Sequence, residues 1–323
     1  MDRKMTSGKF FFYGPVPSRR LGLSFGVDIV PFKVCTLDCV YCQLGKTITK
    51  TIERRDYGPI EPILAELRET LDEGLETDFI TIAGSGEPTL NLRLGELIDG
   101  IKKITNIPVA VLTNGTLFYQ KDVRSDCAKA DVVMPSLDAA DEQTFQKVNR
   151  PHRDINIKNL ISGLSTFRNE FNGQIWLEVF FIEGFNTDTE QISRIKNAID
   201  RIRPDKIHLN TAVRPTAEVN IRRLDNEKLQ AIAAQLGSKC EVVADFSLSH
   251  HSKLSEHSES DLIANNIKEA LLSMLKRRPC SLDDICSGLG IGRNHALKSV
   301  TYLRDKGVIH AEEQEGKIFF KVR

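Results

Sequence analysis

The sequence predicts an α/β protein: a partial (β/α)6 barrel followed by a C-terminal winged helix-turn-helix domain. Three observations carry this. Between residues 25 and 245, short β-rich runs alternate with longer amphipathic helical patterns. A Ser- and His-rich stretch then interrupts that rhythm, and the remainder has a different one, of three helical segments and a hairpin. Near-continuous apolar strands alternating with one-sided helices argue for a parallel sheet covered by helices. Six such units in roughly 220 residues suit a partial barrel, with a doubly wound open sheet as the alternative. Either way, a site belongs at the C-terminal ends of the strands.

Residues 1–24 read as a basic extension, residues 25–244 as the core, 245–261 as a linker and 262–323 as the winged domain. The strands expected in order are Phe25–Pro31, Asp78–Ala83, Val109–Thr113, Asp131–Ser136, Ile175–Ile182 and Lys206–Thr211. Each is rich in Val, Ile, Leu or Phe, and most end in a turn-forming residue. The helix Ile60–Leu71 gathers Ile60, Ile63, Leu64, Leu67 and Leu71 on one face and tolerates Pro62 in its first turn. Leu92–Ile104 and Thr187–Ile202 follow the same rule. The linker holds His250, His251 and His257, but no cysteine stands beside them, so a solvated polar loop is the simpler reading than a metal site. Beyond it come the helix Ile263–Leu275, the helix Ser281–Gly288 with Ser281 as its N-cap, the helix Arg293–Lys306 and the hairpin Val308–Val322, which together make the winged module.

Composition narrows the class. With 323 residues, 41% hydrophobic and 27% charged, the chain is globular rather than fibrous or disordered. Lys and Arg total 44, as do Asp and Glu, so net charge names no partner. Its distribution says more: residues 1–55 hold ten basic and four acidic residues and residues 262–323 hold eleven and seven, around an acidic middle. Basic ends suit a polyanion, although charge runs are commonly just solvated faces. No stretch approaches the ~20 apolar residues of a membrane span, and the early apolar run is too short for a signal peptide. The expected location is therefore the cytoplasm, where thiols stay reduced.

Seven cysteines in a reducing compartment do not read as a disulfide framework, and Cys35, Cys39 and Cys42 fall within eight residues. Zinc would ask for four ligands, usually as two pairs. Three thiolates on one loop instead suit a four-iron cluster whose fourth iron stays open to an outside ligand.

The spacing Cys35-x3-Cys39-x-Tyr41-Cys42 resembles the defining motif of the radical S-adenosylmethionine (SAM) enzymes. The resemblance implies that the three thiolates hold a 4Fe–4S cluster, that its open iron takes the amino and carboxylate groups of SAM, and that reductive cleavage yields a 5′-deoxyadenosyl radical. It further implies that Gly84, Ser85, Gly86 and Glu87 (GSGEP) contact SAM, with Tyr41, Asn114 of TNGT, and Ser136 and Asp138 of PSLDA beside them. Taken singly, each of these is an ordinary turn or N-cap. Their order and their positions at strand ends outweigh those separate readings.

Within the superfamily, GEP at 86–88, TNGT at 113–116, SLDA at 136–139, NRP at 149–151 and FIEGFN at 181–186 resemble the wyosine-base (imidazoguanine) tRNA synthases. Those enzymes carry a second cluster on further N-terminal cysteines, and this chain has no cysteine before Cys35. Arg150, Asn210 and Arg214 follow strand ends and are the residues expected at the substrate, while Glu178 could project into the barrel. Three functions compete. The first is a radical SAM enzyme acting on RNA, possibly a tRNA base, with Arg293, Lys298 and Arg304 of the winged module on phosphates. The second is one acting on a peptide or small metabolite. The third is a non-enzymatic iron–sulfur regulator. Either enzyme needs a reductant such as flavodoxin or ferredoxin.

Overall fold

The computed structural model describes residues 11–244, 261–314 and 316–322, with only the backbone of 261–266. The first ten residues and the histidine-bearing linker lie outside the described residues. The chain opens with a hairpin, β1 (Phe12–Ser18) and β2 (Gly22–Val27), followed by two short paired strands, β3 (Val34–Cys35) and β4 (Thr49–Lys50). The alternating part runs α1 (Ile60–Asp72), β5 (Phe79–Ile82), α2 (Leu94–Ile104), β6 (Val109–Thr113), α3 (Lys121–Cys127) and β7 (Val132–Pro135). It continues with α4 (Glu142–Val148), α5 (Ile157–Glu170), β8 (Gln174–Phe181), α6 (Thr189–Ile202), β9 (Lys206–Thr211), α7 (Asn226–Leu236) and β10 (Cys240–Val242).

One eight-stranded sheet has the order β1-β2-β5-β6-β7-β8-β9-β10. Only β1 is antiparallel to its neighbour, so the sheet is mixed, in keeping with a partial barrel. The antiparallel strand lies in the stretch the sequence assigned to an extension. Its FYGPVPS run carries two prolines, which suits an edge strand, where a missing N–H leaves no central ladder broken. The sheet curls: Arg19 at the β1–β2 turn donates to the carbonyl of Val243 just past β10, and Arg20 crosses to Glu178 on β8.

Period-two alternation decides which residues pack under the helices and which face the barrel interior. On β8, Ile175, Leu177, Val179 and Phe181 are fully buried in the main core, while Glu178 points the other way toward Arg20 and Asn210. The helices close the outer face. Leu94, Leu97, Ile98 and Ile101 of α2 are all inaccessible, each contributing about 1.5–3 kcal/mol by leaving water.

The C-terminal part has a separate apolar core of Leu271, Met274, Leu275, Ile285, Val300, Leu303 and Ile309. It comprises α8 (Asp261–Arg277), β11 (Cys280–Ser281), α9 (Leu282–Leu289), α10 (Arg293–Asp305), β12 (Ile309–Gln314) and β13 (Lys317–Val322), with strand order β11-β13-β12. Ser281 caps α9 in a reciprocal capping box with Asp284. This unit packs against β1 through α8 and α9. Arg277 lies over the Tyr13 ring at 4.5 Å and 3.6 Å from Asp28, and Arg214 past β9 bonds to Asp284 at 2.9 Å.

Candidate active site

The cysteine loop leaves β2 at the C-terminal edge of the sheet, where the loops after β5, β6 and β7 also converge. Gly86 shows how close they come: a Cβ there would lie 2.2 Å from the Val34 carbonyl oxygen, so only glycine fits. Gly84 likewise leaves room for the Asp28 carboxylate, which accepts from the Ser85 N–H and hydroxyl at 3.0 and 2.6 Å. The two glycines therefore serve loop-on-loop contact inside the protein.

Each cysteine sulfur has its own N–H donor. Asn114 Nδ2 lies 3.5 Å from Cys35 Sγ, Asn149 Nδ2 3.5 Å from Cys39 Sγ, and Lys33 Nζ 3.1 Å from Cys42 Sγ. Burial pushes the Cys35 thiol up to about 12, with the Glu87 carboxylate adding to the effect, and raises Cys39 well above its usual value. Among the described residues, no three His, Cys, Asp or Glu side chains converge on a single ion. A cubane asks for something different, one soft thiolate at each of three corners, and that donor set is present.

The surrounding polar groups are struts. Glu87 is 2% exposed, and its carboxylate accepts from the Thr89 N–H (3.1 Å), the Thr89 and Thr113 hydroxyls (2.6 Å each) and the Asn114 N–H (2.8 Å). Burial still raises its pKa, against those four bonds. Asp138 accepts from Tyr41, from Asn149 Nδ2 at 2.7 Å and from the Phe180 N–H at 2.9 Å. Burial lifts Asp138 to about 6. Tyr41 stacks on Phe180 at 4.0 Å, so the aromatic before the third cysteine ties the loop to β8. Asn114 also bonds Thr36 at 2.7 Å, and Ser136 bridges to Glu178 through the backbone. Leu37, Asn114, Ser136, Asp138 and Asn149 line one small cleft.

The residues expected at the substrate are distributed. Asn210 donates to Glu178 at 2.9 Å, in the barrel interior. Arg214, 4% exposed, bonds to Asp284 of the C-terminal unit. Arg150 lies at the rim with Glu218 at 2.7 Å. Two residues at the sulfurs escaped sequence reasoning. Lys33 carries no motif of its own. Asn149 stood in the NRP stretch, read there as framework; its Oδ1 is buried with no hydrogen-bond partner among the described residues.

Three cysteine sulfurs on one loop at a barrel edge, backed by a buried polar wall, are the donor set of a cluster-binding class. The chain belongs to the radical SAM superfamily, whose sequence model matches residues 29–195. Enzymes of this superfamily use a 4Fe–4S cluster and SAM and generally need a reductant, and this chain is one of them. It is 30% identical to the UPF0026 protein MJ1312 of Methanocaldococcus jannaschii, over 95% of this chain and 94% of that protein. It is 34% identical to a protein named GTPase Obg from Brachyspira hyodysenteriae, over 96% of this chain, and spans only 45% of that protein's length. Among solved structures it is similar to a radical SAM methyltransferase from Sphaerobacter thermophilus (TM-score 0.49, 18% identity, covering 68% of this chain and 65% of that one). No helix among the described residues is long and apolar enough to cross a membrane.

Proposed function

We propose that Cys35, Cys39 and Cys42 hold a four-iron cluster beside which SAM is cleaved to modify an RNA base, with the C-terminal unit acting as a winged helix-turn-helix clamp. The carrying observation is that three cysteine sulfurs, each with its own N–H donor, meet a buried polar wall at the strand ends. The chemistry supplied by cluster and SAM, when bound, is reductive cleavage to methionine and a 5′-deoxyadenosyl radical. The protein's own part is orientation. Glu87 locks the loops after β5 and β6 together, Asp138 fixes Tyr41 and Asn149, and Asn149 Oδ1 offers an acceptor at the site. Gly84, Ser85, Gly86, Asn114 and Ser136 shape the SAM side, and a flavodoxin or ferredoxin serves as electron donor.

The RNA reading draws support from charge and from resemblance. Arg19 is held below its usual pKa by burial and then by Arg214, Arg20 and Arg278, so four guanidinium groups share one neighbourhood. Guanidinium forks suit phosphate. The stretches shared with the wyosine-base tRNA synthases point the same way. In this reading Arg150, Asn210 and Arg214 face the substrate side, and residues 262–323 form a unit joined through 245–261 to the core 25–244.

Reconstituted anaerobically and given dithionite and SAM, the full chain should release 5′-deoxyadenosine and methionine. RNA retained at low salt should be identifiable by sequencing. Replacing Arg293, Lys298 and Arg304 together should flatten the salt dependence of RNA binding by about two to three units, at roughly 0.7–0.9 per phosphate contact. A salt-independent peptide partner with no RNA bound would sink the RNA substrate while leaving SAM cleavage standing.

A further inference from the structure

We propose that Lys33 is a positioning residue that sets the reduction potential of the cluster, its ammonium serving as a buried countercharge on the Cys42 sulfur. The inference rests on the cluster reading above and extends it. Lys33 is 3% exposed, and among the described residues its Nζ makes one hydrogen bond, to Cys42 Sγ at 3.1 Å. It makes no ion pair with any carboxylate among the described residues, and Cys35 also feels its charge. A buried ammonium is costly unless an anion faces it, and here the facing groups are sulfurs.

The backbone holds this arrangement in place. Lys33 sits at φ 59, a left-handed conformation uncommon for a side-chain-bearing residue. Its N–H donates to the Ser85 carbonyl at 2.7 Å, and its own carbonyl accepts from the Ile48 and Thr49 N–H groups at 3.1 Å each. The residue is thus pinned between the GSGEP loop and the end of the cysteine loop. The other two donors to the sulfurs, Asn114 and Asn149, are neutral amides, so Lys33 alone brings charge.

With a cluster held by Cys35, Cys39 and Cys42, one-electron reduction by a flavodoxin or ferredoxin would make the site one unit more negative, with no bond made or broken. A fixed positive charge favours that more negative state and raises the potential, since net charge and hydrogen bonds to sulfur are among the terms that set it.

The test is a redox titration of the reconstituted full chain without SAM, followed by electron paramagnetic resonance, with iron content measured for every variant. At the potential where wild type is half reduced, Lys33→Met should lower the reduced-to-oxidised ratio about tenfold, ~59 mV for a one-electron couple. Lys33→Gln, which keeps an N–H donor and loses the charge, should fall with Lys33→Met, and Lys33→Arg should stay with wild type. If Lys33→Met holds no iron, the Gln and Arg variants carry the comparison. Fully loaded variants with the wild-type potential overturn the proposal, as does a Gln variant that matches Arg. An unchanged potential with weakened SAM binding would instead assign the ammonium to SAM's carboxylate and likewise overturn it. A wild-type protein that assembles no four-iron cluster fails the earlier reading, whereas a loaded protein indifferent to Lys33 fails this one alone.

Discussion

The cysteine loop and the junction with the C-terminal unit are both rich in buried polar groups, yet they are built on different physics. Around the cysteines, the struts are carboxylates and amides that accept or donate several short-range hydrogen bonds each, as Glu87 does with four. At the junction, the links are guanidinium–carboxylate contacts between distant stretches, Arg214 with Asp284 and Arg277 with Asp28. A many-bonded network fixes positions, and burial pushes its Glu87 and Asp138 carboxyls up. An ion pair reports on docking, and its partner pulls its carboxyl down; at Asp28 burial still outweighs Arg277 and leaves the carboxyl raised, whereas at Asp284 the guanidinium groups win. Burial alone would raise Asp284, but Arg214 and Arg278 bring it net below its usual value.

The largest effect that would break this contrast is loss of the metal. Replacing Cys35, Cys39 or Cys42 by Ala should each abolish incorporation of the about four irons expected of a cubane, measured by iron and sulfide analysis. Cys127→Ala and Cys240→Ala should keep full iron. A spare cysteine that proved equally necessary would end the single-cluster account.

Next comes the junction. Arg214→Ala should cost about 3–5 kcal/mol in chemical denaturation, because it removes one partner from a buried pair. Joint replacement of Arg214 and Asp284 by apolar residues of similar size should recover much of that loss. The Asp284 contribution is present above its unfolded pKa of about 4 and is lost as pH falls through the lower folded value. Equal losses in the single and double variants would show that the pair is not the link.

Asp138 should behave in the opposite sense. Its folded pKa of about 6 lies above the unfolded ~4, so the native state binds the proton more tightly across that window. Stability should therefore fall as pH rises from about 4 to 6, by on the order of 2–3 kcal/mol from this group. Asp138→Asn should flatten that limb in urea titrations at successive pH values.

The smallest effect sharpens the comparison within the C-terminal unit. Arg293 pairs with Asp283 at 2.6 Å, but both side chains are mostly exposed. Arg293→Ala should change stability by less than about 0.5 kcal/mol, in contrast to Arg214→Ala.

Much of the barrel was legible because apolar periodicity is local. Val109–Thr113 and Lys206–Thr211 agree with the sequence reading residue for residue, and Ser281 caps its helix as expected. The edge strand β1 was not, because its prolines and glycine disguise a strand that is defined only by its pairing with β2 across a hairpin turn. At the site, the cysteines and Glu87 stood in recognisable patterns, but the role of Glu87 as a four-bond strut depends on Thr113 and Asn114 arriving from another strand end. Lys33 was invisible for the same reason: a lysine two residues before a cysteine means nothing until the fold turns it onto Cys42. Arg214 was noticed for its place after a strand end, but no local signal could bring Asp284 to it.

The contact between Arg277 and Asp28 has a practical consequence for anyone trimming this protein. Asp28 also holds the Ser85 hydroxyl and N–H, so a cut after residue 244 would do more than discard an appendage. It would take Arg277 away from the carboxylate that anchors the GSGEP loop, remove Asp284 from Arg214, and uncover Val16, beside which Gly288 lies. A shortened barrel is therefore a different site with altered charge, and only the chain that keeps residues 262–323 reports on the chemistry of the intact one.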